Sequence, residues 1–256
     1  MARLRADLLV HQRGLAESRS KAQALILAGA VVADDHRVEK PGQLLDTDCA
    51  LRLKAGAAES RYVSRGGLKL EEALDHFELD PRGLVCCDFG ASTGGFTDVL
   101  LQRGATRVHA VDVGYGQLHP KLRSDARVKV HERVNARRLT PEVLGEKCGA
   151  AVLDLSFISA RLVLPALVSV LEARAFCVVL VKPQFEAGRA EVGKGGVVRD
   201  PQVHARVVAA VEETLRSLGL SVLGTVPSPL LGPAGNREFL SAARRPEVFV
   251  FEGDPV

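Results

Sequence analysis

The sequence predicts an α/β protein: a doubly wound, mostly parallel sheet with a small α+β domain at its N-terminal end. Three observations carry that expectation. Beyond residue 64, apolar runs of strand length alternate with helical patterns, the order that builds parallel sheets through crossover helices. Residues 1–54 follow a different rhythm, two helical patterns and then two short strand patterns. Between them, residues 55–63 are small and polar, the composition of a linker.

Taken in order, Leu4, Leu8 and Leu9 have helical spacing over residues 3–13, with Gly14 as the stop. Ser18 is placed to cap a second helix that buries Ala22, Leu25 and Ile26 and ends at Gly29. Val31 and Val32 begin a strand, Asp34-Asp35 and Pro41-Gly42 mark turns, and Leu51 and Leu53 alternate in a second strand. After the linker a helix is expected over 66–77. Strands are expected at 84–88, 107–112, 150–154, 176–182, 220–226 and 238–242, with helices at 95–102, 160–172 and 201–218. The two domains are therefore expected to be 1–54 and 64–256.

Of the 256 residues, 46% are hydrophobic and 25% charged, a balance that supports a packed core. A net charge of +3 permits nucleic-acid binding without demanding it. Cys49, Cys86, Cys87, Cys148 and Cys177 form no CxxC pair, and no histidine falls at zinc spacing. Neither a disulfide framework nor a metal site is expected. Cys86 and Cys87 lie in an apolar run, as buried thiols of a reducing compartment do. The basic N-terminus runs into an amphipathic pattern rather than a signal-peptide core, and no apolar stretch is long enough to span a bilayer. A cytoplasmic protein without membrane partners is expected.

The most informative stretch runs from Leu84 to Thr97. An apolar strand ends in Asp88, a turn of small residues follows (Gly90, Ala91, Ser92, Thr93, Gly94), and a helix opens at Gly95. Small residues let the backbone approach a ligand, and a helix start offers free N–H groups. The spacing is not G-x-G-x-x-G, and no P-loop lysine is present. With Asp88 at the strand end, the turn suits S-adenosylmethionine better than a pyrophosphate. Asp112, followed by Val113, ends the next strand, at the spacing where a carboxylate holds ribose hydroxyls. An ordinary tight turn with a solvated aspartate is the plainer alternative.

Several motifs in order give a wider resemblance. Asp88-Phe-Gly-Ala-Ser-Thr-Gly-Gly-Phe-Thr97, Val111-Asp-Val-Gly-Tyr-Gly-Gln-Leu118, Asp154-Leu-Ser-Phe-Ile-Ser159, Val181-Lys-Pro-Gln-Phe-Glu186 and Tyr62-Val-Ser-Arg-Gly-Gly-Leu-Lys-Leu70 resemble the TlyA family over nearly the whole chain. These are ribosomal RNA 2′-O-methyltransferases, historically labelled hemolysins. The resemblance implies a Rossmann-like class I methyltransferase domain similar to the FtsJ type, preceded by an S-four-like RNA-binding module over 1–54. It implies S-adenosyl-L-methionine as cofactor and ribosomal RNA or ribosomal subunits as partner. It also implies a catalytic set of Lys69, Asp154, Lys182 and Glu238. In that set Lys182 would take the proton of a ribose hydroxyl or stabilise the alkoxide. The carboxylates would orient the lysines. A solvated helix lysine at 69, a strand-end cap at 154 and an edge charge at 238 are the plainer readings of the same residues.

RNA contacts are expected at two basic clusters. Arg3, Arg5, Arg13, Arg19 and Lys21 lie in the N-terminal module. Lys121, Arg123, Arg127, Lys129, Arg133, Arg137 and Arg138 crowd residues 119–138 against only Asp125 and Glu132. Lys121, Arg123 and Arg133, together with Arg65 after the linker, are the leading candidates of the larger domain. A solubilising helix face is the alternative for either cluster. Ala33-Asp34-Asp35 departs from the Val-Asn-Gly type of turn usual in the module, and its acids would weaken RNA contact there. The glycine-rich segment Gly188–Arg199, beside Lys182, is expected to be a mobile loop that closes over substrate. Three other functions compete: a pseudouridine synthase, which needs no such cofactor turn; a catalytically silent assembly factor; and a membrane-active hemolysin.

Overall fold

The computed structural model describes residues 3–27, 29–53, 61–232 and 234–247. The chain divides into two compact units, Met1–Arg61 and Tyr62–Val256. Most of the expected linker lies outside the described residues.

The first unit contains β1 (Arg3–Arg5), α1 (Ala6–Gln12), α2 (Arg19–Leu27), β2 (Val31–Ala33), β3 (His36–Arg37), β4 (Leu44–Asp46) and β5 (Leu51–Leu53). Two small sheets, β1-β4 and β3-β2-β5, are antiparallel throughout. The first helix is shorter than its sequence pattern: Arg3–Arg5 pairs with Leu44–Asp46 instead of coiling. Local periodicity could not register that distant partner. Ser18 does cap α2, its Oγ accepting from Lys21 N at 3.1 Å. Ala6, Leu9, Val10, Ala22, Ile26, Val31 and Val38 are buried together as this unit's core.

The second unit opens with α3 (Gly67–His76) and β6 (Val85–Phe89), α4 (Gly95–Gln102), β7 (Arg107–Asp112), α5 (Pro120–Arg123) and β8 (Val128–Glu132). It continues with α6 (Pro141–Leu144), β9 (Cys148–Leu153), α7 (Leu164–Ser169), β10 (Leu171–Val181) and α8 (Pro183–Glu186), and ends with α9 (Pro201–Ser217), β11 (Ser221–Pro227) and β12 (Phe239–Arg244). The sheet order is β11-β12-β10-β9-β6-β7-β8. The five strands from β10 to β8 are parallel, while β12 runs antiparallel to both β10 and β11. The structure differs from expectation in several places. The basic stretch after α5 contains a strand, β8, the expected helix over 160–172 is a 3-10 turn at Ala160–Leu162 followed by the short α7, β10 begins at Leu171 rather than 176, and α6 and α8 are additional short helices.

Strand alternation divides the core between the two faces of the sheet. Cys86, Val108, Ala110, Ala150, Val152, Val178 and Leu180 face α3 and α4. Cys87, Phe89, Val111, Ala151, Leu153, Cys177, Val179 and Val181 face α7 and α9. A sheet covered on both faces explains why its strands are continuously apolar. Burial pushes the Cys177 thiol up to about 12 and leaves it an inert core side chain.

Leu100 of α4 is fully buried on the first face. Leu100→Ala is expected to lower unfolding stability by about 2–5 kcal/mol in urea titration without changing the fold. A loss below about 1 kcal/mol would show that α4 is not packed as described.

Candidate active site

The chain leaves β6 toward β7 and β8 on one side, and later returns to place β9 and β10 on the other. Neighbours β6 and β9 therefore form the switch point of the sheet, where loops part and a crevice opens beyond the C-terminal strand ends. The turn after β6 fills one wall of this crevice. Gly90 has φ +88°, and a Cβ there would lie 2.4 Å from the carbonyl oxygen of Asp154. Only glycine allows both the conformation and the approach. At Gly95 a Cβ would lie 2.3 Å from Ser64 Oγ and 3.0 Å from Gly67 N, so a side chain there would have to displace the Ser64–Gly67 turn against which α4 starts. Ser92 N donates to Asp112 Oδ2 at 2.8 Å and Gly114 N to Asp112 Oδ1 at 2.7 Å. These bonds fix the Asp112 carboxylate at the crevice wall.

Two clefts meet here. The larger, about 420 Å³, is lined by Asp112, Val113, Gln117 and Asn135 on one side and Leu155, Phe157, Ile158 and Val163 on the other. The smaller, about 170 Å³, is lined by Ala91, Thr93, Gly95, Ser64, Gly66 and Lys182. Gly90, Ser92, Asp154 and Ser156 border both. Of the cofactor residues expected from sequence, Gly90, Ala91, Ser92, Thr93, Gly95, Asp112 and Val113 line these clefts. Asp88 and Gly94 line neither. Asp88 is fully buried beneath the turn, its Oδ2 accepting from Thr97 Oγ1 at 2.7 Å.

The four expected catalytic residues form two ion pairs. Asp154 follows β9 and Lys182 follows β10, so both stand at the same rim. Lys182 Nζ lies 2.5 Å from Asp154 Oδ1 and donates to Ser156 Oγ at 3.2 Å. Glu238 immediately precedes the antiparallel β12, whose start pairs with the end of β10, and so reaches that rim as well. Its Oε2 pairs with Lys69 Nζ from α3. Glu238 Oε1 is buried with no partner among the described residues. Lys69, Lys182 and Glu238 are 8%, 9% and 1% exposed, which sets them apart from solvated surface charges. Lys69 and Glu238 line neither cleft.

Sequence reasoning missed how the opposite wall is held. Glu186 of α8 accepts from Ser159 Oγ and Ala160 N, each at 2.6 Å, and from Arg161 Nε at 3.2 Å. This clamps the 155–159 loop. Phe157, at φ +66° and 91% exposed, stands on that loop with its ring 5.3 Å from Phe185. Both motifs were visible, but nothing in them showed that one braces the other. Gly188–Arg199 is also fastened: Gly193 bridges Val197, and buried Asn236 accepts from Val198 N and donates to Gly196 O at 2.9 and 2.8 Å.

The expected RNA-binding cations are not equally free. Arg3 pairs with Asp46 at 3.2 Å, Arg13 donates to Thr47 O at 2.5 Å, and Arg5 and Arg19 share Asp7. Lys21 and Arg65 are exposed. Lys121 lies 3.9 Å from Asp98, Arg123 pairs with Glu132, and Arg133 stacks on the Tyr115 ring at 4.6 Å. Arg127 is held by Asp125 at 2.7 Å, so part of that cluster's charge is internally neutralised. The Asp34-Asp35 turn is likewise engaged, with Asp35 paired to Arg52 at 2.8 Å.

A family model described as FtsJ-like methyltransferase matches residues 62–245, and the S4 domain model matches residues 4–48. The 16S/23S rRNA (cytidine-2′-O)-methyltransferase TlyA of Mycobacterium tuberculosis is 51% identical over 237 residues, covering 93% of this chain and 88% of its own. A solved structure from Streptococcus thermophilus, named as a candidate hemolysin, is 44% identical with a TM-score of 0.75, covering 96% of this chain and 90% of its own. A solved structure from Listeria monocytogenes, named as a candidate S-adenosylmethionine-dependent methyltransferase and 16% identical, shares the fold of the larger unit, with a TM-score of 0.54, covering 72% of this chain and 100% of its own. No helix among the described residues is long and apolar enough to cross a membrane.

Burial pushes the Asp88 carboxyl up from 3.8 to about 7; the charge of Asp154 adds to the shift and the Thr97 hydrogen bond opposes it. The folded value lies above the unfolded one, so the stability that this carboxyl contributes is complete below about pH 4 and is lost as pH rises through 7. Asp88→Asn is expected to match the wild type in urea titrations near pH 4 and to exceed it by an amount that grows up to about pH 7 and then levels. A stability difference independent of pH would contradict the burial of an ionisable group at this position.

Proposed function

This chain belongs to the FtsJ-like methyltransferase family, in its TlyA branch, and from that premise we propose that it transfers a methyl group from S-adenosylmethionine to the 2′-hydroxyl of a cytidine in ribosomal RNA. The observation that carries the reading is the meeting of the two clefts at Gly90, Ser92, Asp154 and Ser156, with Lys182 at the smaller one.

The residues fit this cofactor. Apolar Val113, Leu155, Ile158 and Val163 suit a purine, and the fixed Asp112 carboxylate suits vicinal ribose hydroxyls. The Thr93 and Gly95 backbone N–H groups, whose neighbours at 91, 92 and 94 are already bonded, and the Asp154 carboxylate suit the charged amino-acid end. When bound, S-adenosylmethionine supplies an electrophilic methyl on a cationic sulfur. The protein's share of the chemistry is alignment, control of the hydroxyl proton and exclusion of water.

Lys182 is the group placed to meet the hydroxyl. Asp154 and Ser156 hold its Nζ at the cleft wall. Ion-paired as an ammonium, it is placed to stabilise the charge that proton loss leaves on oxygen; to receive the proton itself it must first pass one to Asp154. The Lys69–Glu238 pair braces the neighbouring strand end and sets the local field. Phe157 offers an exposed ring at the mouth, on which a base turned out of the RNA can stack. The S4 unit contributes RNA affinity through its arginines, and ribosomal subunits are the substrate form proposed. The reaction belongs to the cytoplasm, where that RNA is found. The intact charged set, with both pairs formed, favours an enzyme over a silent binding factor.

The test combines cofactor titration with methyl transfer to purified ribosomal subunits. Lys182→Ala and Glu238→Gln are expected to lower transfer by about 10²-fold or more while cofactor affinity changes little. Wild-type protein that binds no S-adenosylmethionine would overturn the reading.

A further inference from the structure

We propose that Glu186 sets cofactor affinity from outside the cleft: it ties residues 159–161 to α8 and so holds the wall on which the purine rests. The proposal rests on the methyltransferase reading and deepens it.

Glu186 ends α8, four residues beyond Lys182, and lines neither cleft. Phe185 N donates to Lys182 O and Ala187 N to Pro183 O, both at 2.9 Å, which fixes its place relative to the end of β10. The side chain is 2% exposed, and both carboxylate oxygens are used. Oε1 accepts from Ala160 N, the first N–H of the 3-10 turn, which has no partner inside that turn. Oε2 accepts from Ser159 Oγ and Arg161 Nε. Three consecutive residues of one segment converge on a single carboxylate of another. A buried carboxylate is costly unless its oxygens are bonded, and here every side-chain donor comes from the segment being held.

That segment carries a strained residue. Leu155 and Ile158, with Val163 beyond them, form one wall of the cleft of about 420 Å³. Between them Phe157 has φ +66°, a left-handed conformation that a bulky side chain keeps only when its surroundings impose it. Its ring is 91% exposed, so burial does not impose it, and its ring contact is with Phe185, again on α8. On one side the segment is pinned where Asp154 N donates to Phe89 O at 3.0 Å. On the other it is pinned by Glu186. Without the carboxylate the left-handed residue relaxes, and Leu155 and Ile158 lose their places in the wall. The purine then meets a surface that binding itself has to order, which weakens it. Glu186 is therefore a positioning residue: it acts on the cofactor through the 155–158 wall.

Full-length protein is titrated with S-adenosylmethionine, alone and in competition with adenosine, which carries the purine and ribose only. Methyl transfer to purified ribosomal subunits is followed as the cofactor is varied, with thermal melting of each variant alongside. Glu186→Ala removes all three bonds and is expected to weaken cofactor and adenosine by the same factor, about tenfold. Glu186→Gln keeps the shape but offers one acceptor where Ala160 N and Arg161 Nε require two. It is expected to fall between, about threefold weaker than wild type. Arg161→Ala removes only the half-exposed partner and is expected to stay within about twofold.

The loss falls on the KM for the cofactor. At saturating cofactor kcat stays within about twofold, because the Asp154–Lys182 pair joins two strand ends and does not pass through Glu186. Unchanged cofactor affinity in a folded Glu186→Ala, or in Glu186→Gln if the alanine variant does not fold, overturns the proposal. So does a loss confined to kcat, or wild-type cofactor binding with which adenosine does not compete. Wild-type protein that binds no S-adenosylmethionine contradicts the methyltransferase reading itself; wild-type binding matched by both Glu186 variants contradicts only the role of Glu186.

Discussion

At residue 90 the backbone passes so close to the Asp154 carbonyl that a Cβ would lie 2.4 Å from it. That approach ties the turn after β6 to the end of β9. It is what lets the two clefts share walls at Gly90, Ser92, Asp154 and Ser156. A side chain at residue 90 would push the strand ends apart, and with them the carboxylate that steadies Lys182. Asp112, fixed by Ser92 N and Gly114 N, depends on the same turn keeping its shape. The sheet topology creates a crevice at this point, and the missing side chain makes it a site with a defined interior.

The charges at the rim follow a consistent logic. Removing a charge from water is costly, and the cost is met here by one-to-one pairing: Lys182 with Asp154, Lys69 with Glu238. Breaking the Lys69–Glu238 pair strands its partner in a nearly dry place, while Asp154, about a quarter exposed, keeps some contact with water. Pairing of this kind is weak evidence for stability but strong evidence for a geometry that has to be held. Asp88, lacking a cationic partner among its described contacts, responds to the same cost differently, with a carboxyl that favours its neutral form up to about pH 7. The N-terminal unit repeats the theme with Asp7, where two arginines and a glutamine satisfy one buried carboxylate.

The parallel sheet was legible because its strands are apolar and separated by helical patterns, and β7 begins and ends at the expected residues. Elements whose residues look otherwise were not. Val128–Glu132 reads as part of a basic run, yet it pairs with β7 because Val128 and Val130 turn inward while Lys129 points out. Arg3–Arg5 reads as a helix start and becomes a strand only through a partner forty residues away. Within the site, Lys182 and Asp154 were readable from their strand-end positions. The pairing of Lys69 with Glu238, 169 residues apart, is invisible to any local pattern. The same holds for the Glu186 brace and for the burial of Asp88, which its place at a strand end had suggested would face the cofactor.

A ribose oxygen, not a base, is the atom proposed to receive the methyl group. The most direct measurement locates it. Ribosomal RNA labelled by this protein with radioactive S-adenosylmethionine is hydrolysed in alkali and its products are separated. A methylated 2′-oxygen cannot attack the adjacent phosphate, so the account predicts label in alkali-resistant dinucleotides that begin with cytidine. Label recovered in mononucleotides would place the methyl group on a base and contradict the account.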